Sequence, residues 1–439
     1  MEIAILVWKA GNIITCLVKN KSAFYARFAF FLFLLFFFCT YPPNLYSQQT
    51  RKIQYTADVI EMNQKLAGGA KRLLGHVVFK HQGVIMYCDS AYFYSDSNSL
   101  DAFNNIYINQ GDTVHLYGDF LNYNGNSRMA KIRDNVRLIN KDTRLTTEIL
   151  DYDLENGIGY YFEGGVITDP ENRLRSGIGV YYTRNEIFNF KDSVVINNPE
   201  YDIFSDSLSY QTVSKTAYFL GPTEIVSDSN YIYCEDGWYN TEKDISQFND
   251  NALISSNEHE IRGDSIYYER NTGLGSAFQN VEIRDTIQQI ILKGQQALYN
   301  ERTEKALLTD STEMVQIHEG DSLFMHADTL RSIPDTLDEK IILAYFKVKF
   351  FRTNLQGKCD SLTYITRDSV IQLYGNPVLW SEDKQLSADY IEIYMQNNQI
   401  HHMEMKSSAF IAMEVDSGTN KYNQIKGRDK VSYFRDNEN

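Results

Sequence analysis

The sequence predicts an all-β fold: a stack of strand units of about thirty residues, read as two facing, folded-over sheets in preference to a three-sided parallel solenoid. Three observations predict it. A short unit centred on an acidic residue recurs from residue 50 to the end. Between its copies, apolar and polar residues alternate with a period of two. No helical pattern of useful length occurs after the first 47 residues.

The recurrence is the firmest of the three. Taking one residue per unit as an anchor gives Asp58, Asp89, Asp119, Glu148, Gly177, Asp206, Glu235, Asp264, Gln295, Asp328, Asp360, Asp389 and Asp429. Eleven of the twelve steps lie between 29 and 33 residues, and the last is 40. A chain of 439 residues is long for one compact core, and a stack of units avoids that limit by growing along one axis.

The alternation supplies the strands. His76-Val77-Val78-Phe79, Asn105-Ile106-Tyr107-Ile108, Asn135-Val136-Arg137-Leu138 and Ser193-Val194-Val195-Ile196 each read as a strand with one buried face. A third piece, such as Ala130-Lys131-Ile132 or Ala277-Phe278, precedes the turn. Each unit thus reads as roughly three short strands. At the anchor, the apolar residue at +2 and the Tyr at +4 share a face, as in Leu208 with Tyr210 and Ile266 with Tyr268. The anchor carboxylate is placed at the strand mouth, where it can accept turn amides. Only 7 Pro interrupt the chain, and 43% hydrophobic residues with 31 Tyr and 25 Phe exclude disorder.

Residues 1–47 read as a signal peptide with an over-extended start: Lys19, Lys21 and Arg27 precede an apolar run from Phe28 to Phe38, with Ser47 before a cleavage point. The run is short for a spanning helix; the alternative is an inner-membrane anchor through residues 28–41. Residues 48–332 read as strand repeats of one kind. Residues 333–439 continue them, or form a second module after a break near Ile333-Pro334-Asp335. The first 47 residues carry a net +3, which leaves −18 of the total −15 on the rest. That balance argues against nucleic acid as a partner.

Chemistry is sought without result. Cys88, Cys234 and Cys359 each precede an anchor, in a slot otherwise filled mostly by Gly, Ala, Ser or Thr, and read as small buried residues. Gly263-Asp264-Ser265 and Gly320-Asp321-Ser322 echo a nucleophile motif, but the first is the repeat itself. Asp96, Asp112 and Asp228 are turn carboxylates, read as solvated in preference to calcium-binding. The expectation is a protein without catalytic residues, cofactor or metal.

Tyr55-Thr56-Ala57-Asp58, Leu386-Ser387-Ala388-Asp389-Tyr390 and the Gly75-His76-Val77-Val78-Phe79 type of strand resemble the OstA-like, LptA-type periplasmic proteins of lipopolysaccharide transport. The resemblance implies that the repeats form an elongated, repetitive β-jellyroll of facing antiparallel sheets, whose apolar groove carries the acyl chains of lipopolysaccharide or lipid A toward the outer membrane of a Gram-negative bacterium. It also implies partners: other β-jellyroll transport components joined by end-to-end strand pairing, and the outer-membrane translocon. The groove lining is expected at Val77, Phe79, Ile106, Ile108, Val136, Leu138, Val194, Ile196, Leu208, Tyr210, Ile266 and Tyr268. Two alternatives stand beside the lipid bridge: an exported structural or adhesive β-repeat protein without lipid cargo, and a carbohydrate-active solenoid with clustered carboxylates.

Overall fold

The computed structural model describes residues 52–62, 69–111, 113–317, 322–335, 339–381, 384–396, 399–415 and 421–433. These fall in one compact unit that begins at Lys52. The expected signal peptide and membrane-anchor segment, Asp112 and the Gly320-Asp321 pair lie outside the described residues.

Among the described residues thirty-four strands, β1 (Gln54–Thr56) to β34 (Lys430–Tyr433), form one antiparallel ladder in which hairpin follows hairpin. A typical stretch is β5 (Ser99–Gln110), β6 (Val114–Asn124), β7 (Met129–Asn140) and β8 (Thr143–Asp153), each paired with the next. Each of these strands is bent near its middle. The unit is therefore two long, bent strands, or four half-strands, rather than three short ones. Sequence alternation finds three of the four halves. The ladder runs unbroken through Ile333-Pro334-Asp335, where β24 (Leu323–Pro334) pairs with β25 (Lys340–Arg352).

The bend has a specific chemistry. In alternate strands, two successive residues adopt left-handed backbone: Asn104 and Asn105 (φ 63° and 51°), Asp134 and Asn135 (63° and 53°), Gln279 and Asn280 (59° and 51°). Asn and Asp tolerate this region better than other residues with a side chain. Between β7 and β8 the two residues Asp134 and Asn135 stand opposite the single residue Glu148, which is a β-bulge. All thirteen anchors fall at such bends, either in a register shift or in the gap between two short strands.

The anchor is therefore not at the strand mouth but at mid-strand, and it faces outward. The physical reason is the bulge, which breaks the two-residue parity between the anchor and its neighbours. The carboxylates accept from the adjacent bend: Glu148 and Asp429 from the backbone amides of Asn135 and Ser407, at 3.2 and 3.0 Å, and the others below from its side chains. Asn105 Nδ2 donates to Asp89 at 2.8 Å, Asn135 Nδ2 to Asp119 at 2.6 Å and Asn280 Nδ2 to Asp264 at 3.0 Å. Asn251 Nδ2 donates to Glu235 at 2.9 Å, and Lys347 pairs with Asp328 at 3.0 Å. This row of bends is the spine along which the sheet folds over.

Folding at the spine makes two facing half-sheets. Half-sheet I holds residues 106–110 of β5, 114–117 of β6 and their equivalents. Half-sheet II holds 99–103, 120–124 and theirs. Their inner faces carry the core, with Leu73, Phe79, Leu116, Leu138, Leu208, Leu308 and Leu379 fully buried. The three cysteines sit at the spine, reduced and buried, and desolvation pushes each thiol up to about 12. That protonated state suits a small core residue and no nucleophile.

Asn135→Val should test the spine. A β-branched residue in left-handed backbone costs about 1–2 kcal/mol, and the bond to Asp119 is lost besides. Urea denaturation should show Asn135→Val clearly less stable than Asn135→Gly, which loses only the hydrogen bond.

Candidate functional site

The inner space between the half-sheets is the candidate site. On half-sheet II one inner row, read across the ladder, runs Tyr123, Ala130, Tyr152, Gly159, Tyr181, Phe188, Tyr210, Ala217, Tyr239, Ser246, Tyr268, Gly275, Tyr299 and Ala306. The tyrosines are the +4 residues of the repeat. Apart from Phe188, a small residue stands between each pair. The phenol oxygens reach toward the hairpin tips, opposite the spine, where the two half-sheets meet or part.

What each hydroxyl meets there decides whether the mouth is closed. In the first units the partner lies on half-sheet I. Tyr123 OH bonds His81 Nδ1 at 2.7 Å, Tyr152 OH donates to Gln110 Oε1 at 3.1 Å, and Asn140 Nδ2 donates to Tyr181 OH at 2.6 Å. Gln110 Nε2 also crosses to the Leu154 carbonyl at 2.7 Å, and Lys141 pairs with Glu186. These bonds stitch the tips together over a packed interior. Further along, Tyr239 OH donates to Asp244 at 2.9 Å and Tyr268 OH donates to Glu301, both on tips of half-sheet II. Captured by its own half-sheet, such a tyrosine no longer closes the mouth. Burial, then the Glu301 carboxylate, raises the Tyr268 phenol well above its ordinary value.

A cavity of about 490 Å³ opens at this place. Ile232, Ile254, Ile261 and Ile283 line it from half-sheet I, and Ile266, Tyr268, Ala277, Ala297 and Tyr299 from half-sheet II. Ser229, Asn257, Glu258 and His259 form one lip, Glu301 and Glu304 the other. A smaller apolar space lies on its N-terminal side among Phe188, Phe190, Ile196, Tyr201, Ile203 and Tyr210. Arg270 reaches Glu200 across the mouth between them at 3.4 Å. On the C-terminal side Lys340 Nζ reaches Asp285 across the mouth at 2.9 Å, and beyond it Leu308, Met314, Ala344 and Val348 are packed without exposure.

The expected lining residues all point inward, but they do not share one accessible space. Val77, Phe79, Ile106, Ile108, Val136, Leu138, Val194 and Leu208 are closely packed core. Ile196 and Tyr210 line the smaller space, and Ile266 and Tyr268 the larger cavity. Ile283 and Tyr299 belong to recurring units of the sequence but were not among the expected lining residues, and Ile232, Ile254 and Ile261 were not singled out. The same alternation marks them; only the loosened mouth sets them apart. The Asp-Ser pair at 264–265 has structural partners, since Ser265 Oγ donates to Asn249 at 2.7 Å while Asp264 holds Asn280.

These features define an OstA-type folded-sheet jellyroll with a partly opened apolar interior. Residues 50–206 and, in a second overlapping match, residues 202–264 match the family described as OstA-like protein, and the chain belongs to that family. The ladder continues beyond the matched region with the same bends to Tyr433. No curated protein matches the chain.

The Lys340–Asp285 clamp gives a prediction with a definite sign. Burial alone pushes the Asp285 carboxyl up, but the Gln288 amide and the Lys340 ammonium outweigh it and hold it below the ordinary value of 3.8. A lowered folded value contributes stability that is complete above the unfolded value and vanishes as pH falls through the folded one. Asp285→Asn should therefore lower stability by about 1–2 kcal/mol at pH 7. The gap from wild type should close progressively below about pH 4 in denaturation series.

Proposed function

We propose that this protein is a periplasmic, non-catalytic lipid carrier that holds acyl chains of lipopolysaccharide or lipid A between its half-sheets and passes them toward the outer membrane. The observation that carries this reading is the 490 Å³ space lined by isoleucines and tyrosines behind a parted mouth. Its size lies in the range of about 300–1,000 Å³ usual for small-molecule sites. An acyl chain entering it is stabilised by roughly 0.8 kcal/mol per buried methylene, while a polar head stays at the lips. Family membership supports the same direction.

The ladder also supports end-to-end partners. Among the described residues, β2 (Val59–Met62) pairs only with β3 (Lys71–His81), and β33 (Tyr422–Gly427) only with β32 (Ala409–Glu414). Val59, Ile60, Met62, Tyr422 and Ile425 are exposed on these terminal strands, and Val431 and Tyr433 on β34, which pairs only with β31 (Gln399–Lys406) among the described residues. Open edges of this kind are templates for another strand, so a jellyroll component or the outer-membrane translocon fits there. The stitched, packed stretches fit the structural-repeat alternative equally well; the parted stretch favours the carrier.

Photo-crosslinkers placed at Ile261 and Ile283 should capture lipid in cells, and one at outward-facing Arg262 should not. Gly275→Trp, which fills the space between Tyr268 and Tyr299, should reduce capture at least about fivefold while the protein stays folded. Equal capture at all three positions, or none, would count against the carrier.

A further inference from the structure

The outer face of half-sheet I carries four arginines on two adjacent rows of the ladder. Arg137 lies on β7 and Arg144 on β8; Arg173 and Arg175 lie on β11 (Arg173–Ser176). Between them runs β10 (Gly165–Thr168), paired with β8 on one side and β11 on the other. Read across the ladder, Arg137 faces Thr146, Thr146 faces Val166, and Val166 faces Arg175. One row nearer the tips, Arg144 faces Thr168 and Thr168 faces Arg173. The result is a trough with a floor of Thr146, Val166 and Thr168 between two arginine walls. The walls stand two to three strand steps apart, roughly 10–14 Å.

The end of this trough nearer the spine, with Arg137, Thr146, Val166 and Arg175, lines an outward concavity of about 1,220 Å³; Arg144, Thr168 and Arg173 continue it one row nearer the tips. All four arginines are exposed, and none pairs with a carboxylate among the described residues. Arg133, on the other half-sheet, shows the contrast by pairing with Asp151 at 2.7 Å. The carboxylates at the spine end, Asp119 and Glu148, are both engaged by Asn135, through its side chain at 2.6 Å and its amide at 3.2 Å. Arg137 lies over the Tyr117 ring at 4.9 Å, and Tyr107 stacks on Tyr117 at 5.0 Å, so one wall is braced by aromatics. Thr146 and Thr168 donate to the carbonyls of Val166 and Arg144, which leaves their oxygens as acceptors on the floor.

Four unpaired guanidiniums side by side repel one another, and an anion between them removes that cost. Arginine binds phosphate through paired N–H donors, so two walls of arginine suit two phosphates held on one small scaffold. Hydroxyl acceptors on the floor suit a scaffold that donates hydroxyls. We propose that this trough binds a saccharide bearing two phosphate groups, on the side of half-sheet I away from the apolar interior.

Titration calorimetry of the full protein tests this with fructose 1,6-bisphosphate, inorganic phosphate and the deacylated bisphosphorylated disaccharide of lipid A. Either bisphosphate should bind at least about tenfold tighter than inorganic phosphate and weaken with added salt. Tighter binding of the disaccharide assigns the source to a glycolipid head, and tighter binding of the monosaccharide to a free sugar phosphate. Arg137→Ala/Arg144→Ala and Arg173→Ala/Arg175→Ala should each lose at least about tenfold, with unchanged circular dichroism and unchanged lipid capture at Ile261. Should a double variant not fold, Arg175→Gln alone should still weaken binding. Equal binding of inorganic phosphate, binding untouched by the variants, or binding only to phosphatidylglycerol vesicles or an acidic protein would overturn the proposal.

Discussion

The structure depends on a backbone constraint that few residues meet: two successive left-handed residues in alternate strands, opposite one anchor in the next. A flat antiparallel sheet of this length would expose one apolar face throughout. At most of the bends the paired left-handed residues turn the alternate strands back on themselves, and the facing anchor side chain holds the bend. Repeated at a nearly constant interval, the bends align into a spine, and the two half-sheets bury their inner faces against each other. Asn at the second left-handed position serves twice, tolerating the backbone and supplying the amide that the anchor carboxylate accepts.

Given the spine, the rest follows from what happens at the opposite edge. The half-sheets are hinged on one side only, so their tips are free to meet or part. Tyrosine hydroxyls at the fourth position after the anchor control this locally. A hydroxyl that finds His81, Gln110 or Asn140 across the mouth closes it; one held by Asp244 or Glu301 on its own side does not. One repeated residue thus produces both a rigid packed tube and an accessible apolar pocket, depending on a neighbour in the tip.

The period, the all-β class and the buried cysteines were legible in the sequence, because each is a local pattern repeated many times. The anchor's position was not. Counting by twos assumes a continuous pleat, and the bulge at Asp134 and Asn135 breaks that count at the place where Glu148 sits. Nor was the state of the mouth, because the decisive bonds join residues such as His81 and Tyr123 or Asn140 and Tyr181, about forty positions apart in different units. The arginine trough was hidden for a similar reason: Arg137, Arg144, Arg173 and Arg175 become one surface only through the pairing of four strands, β7, β8, β10 and β11.

Lipid held in the parted stretch of the interior should survive gentle purification. Mass spectrometry of the full protein, purified under native conditions from its own cell envelope, should find lipopolysaccharide or lipid A in near-stoichiometric amount, lost when Gly275→Trp fills the space. A protein that emerges folded and free of lipid would contradict the carrier reading.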